Sequence, residues 1–127
     1  MDPSLLELQA QTCVAYGVAF DPPTPGTKVG VALQTLHRLP VHGLRLPPTA
    51  TTCGWYIFAG DDWSDAEHFY QPMCVEHLAD RCAFTLPYLA LPPGWRFMVD
   101  GLGFVDVWRD DSLTLNGRDS TEPGTRA

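Results

Sequence analysis

Four carboxylates crowd into seven residues, Asp61, Asp62, Asp65 and Glu67, with Trp63 among them and His68, Phe69 and Tyr70 directly behind. Acids this close can share protons for general acid–base work or converge on a hard cation. The EF-hand spacing is absent, however, and acids in a loop before a helix also favour the positive end of its dipole. A solvated acidic edge is the simpler reading. Cys74 and His77, three apart on a predicted helix, form the second candidate. They suit a thiol nucleophile with its base, or half a metal site. Cys74 borders an apolar stripe, though, where a free thiol acts as a small hydrophobe. Cys82 lies eight residues on, and no C-x-x-C knuckle completes a zinc tetrahedron. Ser4, Ser64, Ser112 and Ser120 sit at helix starts or in loops, and none lies in G-x-S-x-G. "DGLG" belongs to a hairpin with no helix after it, so it is no phosphate loop. No residue is therefore assigned a catalytic or metal-binding role, no cofactor is expected, and the chain is read as a non-enzyme.

The elements that must hold these residues follow from periodicity. Asp2-Pro3-Ser4 predicts a helix start, with Leu5, Leu6, Leu8 and Cys13 on a partly buried face and Gly17 as its stop. "FDPPTPGT" is a loop. "KVGVALQTLH" predicts a strand with Val29, Val31, Leu33 and Thr35 on one face. "LPVHGLRLPPTATT" reads as a proline-punctuated connection with a short extended piece around Leu44 to Leu46. Cys53 to Ala59 is apolar on both faces and predicts an interior strand. Pro72 is placed in the first turn of a helix that buries Val75, Leu78, Ala79 and Cys82 and exposes Glu76, His77, Asp80 and Arg81. Trp95, Phe97 and Val99, then Phe104, Asp106 and Trp108, alternate about Asp100-Gly101 as a β-hairpin. The fold class is α+β: an antiparallel or mixed sheet of about four strands with packed helices. Residues 1–111 form a single domain, and 112–127 are expected to be a flexible tail.

The 127 residues suffice for one core and not for two. Fifteen acids against eight bases give a net charge of −7, and Lys28 is the only lysine. Without a basic footprint to neutralise phosphates, nucleic acid is excluded as a partner; an acidic surface instead steers basic proteins. No membrane span is expected, because the uncharged stretch Cys82 to Trp95 is short and broken by three prolines. "MDPSLLELQA" lacks the basic and apolar regions of a signal peptide, so the expected location is the cytoplasm, with the four cysteines as reduced thiols.

"LPVHGLR", "CGWYIFAGDD", "FYQPMCVEHL", "LPYLALPPGWRFMVD" and "VDVWRD" resemble, in order and spacing, the bacterial immunity-protein 33 family over roughly Val29 to Asp110. Three departures stand out. Phe58 occupies a position where the family often has tryptophan. Cys74 replaces the first of two histidines, leaving His77, and Val105 precedes Asp106 where glutamate is common. The resemblance implies an antitoxin that binds and neutralises a cognate bacterial toxin or effector. The charge adds that such a toxin would have a basic active cleft.

The face expected to meet that partner comprises Asp61, Asp62, Trp63, Asp65, Glu67 and His68, joined by Arg109 and Asp110 from the end of the hairpin. Phe69 and Tyr70 would add rigid contact area if exposed, or fold back as core. The competing readings are a small metal-dependent or Cys/His enzyme centred on Cys74 and His77, or an interaction module without a toxin.

Overall fold

The computed structural model describes residues 3–60 and 69–115. Helix α1 (Pro3–Tyr16) leads into six strands: β1 (Lys28–Val31), β2 (Val41–Arg45), β3 (Thr52–Ala59), β4 (Gln71–Cys74), β5 (Trp95–Val99) and β6 (Val105–Arg109). They form one sheet in the order β4-β1-β3-β2-β5-β6, parallel only between β1 and β3. Helix α2 (Ala79–Cys82), flanked by 3-10 turns over Val75–Leu78 and Ala83–Tyr88, crosses one face, and α3 (Ser112–Leu115) follows β6. The α+β class holds; the sheet has six strands where about four were expected.

The two additional strands are β2 and β4. Expected as a connection with only a short extended piece around Leu44 to Leu46, β2 lies in the middle of the sheet, pairing with β3 on one side and β5 on the other. Its small Gly43 admits the Phe97 ring, which a side chain there would strike. Pro72, expected inside a helix, sits instead in edge strand β4 opposite Gly30. A proline has no ladder donor to give, and an edge tolerates that loss. The helical pattern begins only at Val75. Val75, Leu78 and Cys82 are buried as expected, with Glu76, His77, Asp80 and Arg81 exposed, but Ala79 is exposed too. The strand expected through Thr35 ends at Val31, and a 3-10 turn follows over Leu33–Thr35. That turn lets the Thr35 hydroxyl donate to the Ala32 carbonyl and accept from the Ala59 amide.

Side chains alternate across β3, so each face of the sheet carries its own cluster. Val29, Val31, Val41, Trp55, Ile57, Leu78, Leu89, Leu91, Phe97 and Val99 make the larger one, beneath α2 and its flanking turns. Helix α1 runs over the required residues but presents Gln9 and Cys13 inward, while Leu8 is exposed. Gln9 donates its amide to the Leu86 carbonyl and so ties α1 to the turn over Ala83–Tyr88. On the opposite face Ala32, Leu44, Phe58 and Phe69 are joined by Leu113, from the segment expected to be a tail.

Arg45 closes the larger core. It is 2% exposed, and main-chain oxygens take its hydrogen bonds. Its Nε donates to the Cys53 carbonyl at 3.0 Å, and its Nη1 to those of Asp21 at 2.6 Å and Leu91 at 2.8 Å. Burial pulls the guanidinium below its ordinary pKa, with Asp21 opposing the shift. The main-chain oxygens of two loops and a strand thus help to offset the charge.

Candidate functional site

The acidic segment Asp61, Asp62, Trp63, Asp65, Glu67 and His68 lies outside the described residues, and the residues on either side of it, Gly60 and Phe69, are described. At the first end Gly60 turns with a φ of +70°. Its amide donates to the Pro40 carbonyl, and its own oxygen meets His42 Nε2 at 3.1 Å. His42 in turn stacks on Phe58, ring centres 4.5 Å apart and nearly parallel. At the far end Phe69 is 5% exposed and leans on Phe58, while Tyr70, half-buried, meets Tyr56 and Phe69 edge-on. Of the two alternatives for Phe69 and Tyr70, core wins over exposed contact surface. The two residues that flank the segment therefore lie beside the smaller cluster: Phe69 within it, and Gly60 joined to it through His42 and Phe58.

Arg109 and Asp110 occupy a different place. Val105 stands level with Val99, Val41 and Ala59 across the sheet, whereas Arg109 stands level with Trp95. Strand rise and spacing put Arg109 about 13 Å along and about 14 Å across from the Gly60 end. Exposed Arg109 pairs with Asp111 at 2.8 Å. Asp110 is held inward by Arg96, whose Nη1 reaches its Oδ2 at 3.0 Å, and its Oδ1 accepts from the Ser112 hydroxyl and amide. Burial pushes the Asp110 carboxyl up, but these bonds outweigh it and hold the pKa below the ordinary value. The Arg96 guanidinium also lies over the Trp108 ring, 5.6 Å from its centre. This Arg96–Trp108–Asp110 arrangement anchors α3 to the hairpin.

Cys74 and His77 do not share a helix face. Cys74 ends β4, where its Sγ accepts from Lys28 Nζ at 3.2 Å, and exposed His77 lies in the following 3-10 turn. Among the described residues no group of three His, Cys, Asp or Glu side chains is placed to hold a metal ion. Cys13, Cys53 and Cys82 are buried, and burial pushes each thiol up. A protonated thiol is a poor nucleophile.

A cavity of about 160 Å³ opens where the β1–β3 register slips. Lys28 pairs with Thr52 but Gly30 with Tyr56, so β3 spends two more residues there than β1. Lys28, whose Nζ donates to Cys74, lines it with Val29, Trp55, Tyr56, Tyr70 and Pro72. Burial raises the Tyr56 phenol. The arrangement of the described residues offers surfaces and anchors rather than a nucleophile–base pair.

Sequence reasoning passed over Arg45 and Arg96, because an arginine carries no mark of burial until its acceptors converge. The "LPVHGLR" and "LPPGWRF" matches contain both residues and were the available signal.

No curated protein and no solved structure matches the chain. A family model does: the Imm33-like domain, over residues 8–110. That span runs from α1 through the Asp110 carboxylate that Arg96 holds, so it takes in all six strands, and the chain belongs to the Imm33-like domain family.

Proposed function

We propose that this protein is an immunity protein that neutralises a cognate bacterial toxin in the cytoplasm by stoichiometric binding, without turnover of its own. The observation that carries the reading is membership of the Imm33-like family across residues 8–110. Inhibition needs a preorganised face and no reacting group. The proposed face is the segment Asp61, Asp62, Trp63, Asp65, Glu67 and His68, with Arg109 and Asp110 as its outer members. Its support is the run of acids and aromatics in the sequence, flanked by Gly60 and Phe69, which contact His42 and Phe58. A net charge of −7 favours a toxin with a basic cleft, drawn in by long-range attraction.

The test is co-expression with a candidate cognate toxin. Growth rescue together with a one-to-one complex on co-purification is the expected result. Rescue without a complex, or turnover of the toxin's substrate or product by the isolated chain, overturns the reading.

A further inference from the structure

The two edges of the sheet are unlike. On β4 the Val75 amide donates to the Thr27 carbonyl, so alternate residues Met73 and Gln71 face β1 and Pro72 turns its main chain outward. The outward donor at that position is missing. On β6 the Asp110 amide donates to Gly94 and the Asp100 amide to Phe104, which makes 104, 106, 108 and 110 the inward-bonded positions. Val105, Val107 and Arg109 therefore point their amides and carbonyls away from the sheet, and among the described residues nothing pairs with them. No proline interrupts this edge. It is also apolar: Val105 is 42% exposed, and Phe104 and Leu102 at the hairpin tip are 46% and 81% exposed. Such an edge is a template for another strand.

We propose that β6 pairs antiparallel with β6 of a second copy of this chain about a two-fold axis at Val107. In that register all three outward residues are used: Val107 faces its own copy, and Val105 faces Arg109 in both directions. On the other face Asp106 comes opposite Trp108 of the second copy, in the row where Arg96 already covers that indole. No like charges stand opposite, and the apolar tip runs alongside residues 110–112 of the partner copy. The local match of Asp106 to the Arg96–Trp108 pair is what selects a second copy as the occupant.

The experiment is the molar mass of the full chain by light scattering across a concentration series, with three substitutions. The wild type is expected to pass from 14.0 kDa to twice that mass, more readily in added salt, which screens the repulsion of two chains of net charge −7. Val107→Pro removes an outward amide that β5 does not use, and it should abolish the dimer with the far-UV spectrum unchanged. At exposed Val105, Val105→Lys sets an ammonium against Arg109 twice and should weaken the dimer about fivefold, while Val105→Glu should strengthen it about as much. Net charge alone predicts the reverse order for these two variants, so the order separates strand pairing from general repulsion. A wild type that stays monomeric, a reversed order, or a dimer indifferent to both Val105 substitutions overturns the proposal. So does a monomer that loses its toxin when Val107 is replaced, since the edge then belongs to another protein.

Discussion

Arg45 and Trp55 donate to the same oxygen: the Leu89 carbonyl accepts Trp55 Nε1 at 2.8 Å and Arg45 Nη1 at 3.4 Å. The guanidinium carbon lies 5.7 Å from the centre of the indole ring. Two adjacent strands thus grip one loop through a cation stacked on an aromatic.

Removal of that cation should be costly. Arg45→Ala strands the carbonyls of Asp21, Cys53 and Leu91, and each buried acceptor left unsatisfied costs about 1–3 kcal/mol. Arg45→Lys keeps the charge without the planar fork and should fall between wild type and Ala. Urea denaturation of the three proteins gives the ranking.

Gly54 has a φ of +93°, and a methyl group there would overlap the Leu46 carbonyl. Gly54→Ala should destabilise the fold by more than about 1 kcal/mol, from both strain and overlap. The control is Gly103→Ala at the hairpin tip, where a methyl group meets nothing nearby and only the positive φ opposes it. The melting temperature should fall further for the first.

Acid should loosen the Asp110 anchor. The folded carboxyl titrates below its ordinary value of 3.8, so its stabilisation is fully present above that pH and fades as the pH falls through the folded value. Asp110→Asn should therefore be less stable than wild type at neutral pH, and the gap should narrow in acid. Unfolding curves taken at descending pH read the convergence directly.

Thiol titration should separate the four cysteines. Half-buried Cys74 should react with a disulfide reagent in the folded protein, whereas Cys13, Cys53 and Cys82 should wait for unfolding. The expected outcome is one fast equivalent, lost in Cys74→Ser.

Charge reversal at Asp61, Asp62 and Asp65 should slow association with a basic toxin, more so at low salt. An on-rate and a co-expression protection both unchanged would place the contact elsewhere.

What the sequence could reveal depended on how far apart the cooperating residues lie. β3 and the β5–β6 hairpin were legible because alternation and turn residues are local signals. β2 was hidden by the prolines that flank it and by Gly43, whose role appears only when Phe97, 54 residues on, fills the space above it. Pro72 has the same local look at a helix start as on an edge strand, and only its pairing with Gly30 decides between them. For the candidate face, the acids and aromatics were visible as a cluster. The contacts of the flanking Gly60 and Phe69 with His42 and Phe58, and their distance from Arg109, required the sheet order.

Pro72 also bears on stoichiometry. A sheet with two receptive rims can add copies without limit, as fibres do. Among the described residues Pro72 deprives one rim of a donor, so pairing through the other rim, as proposed, is expected to stop at two copies.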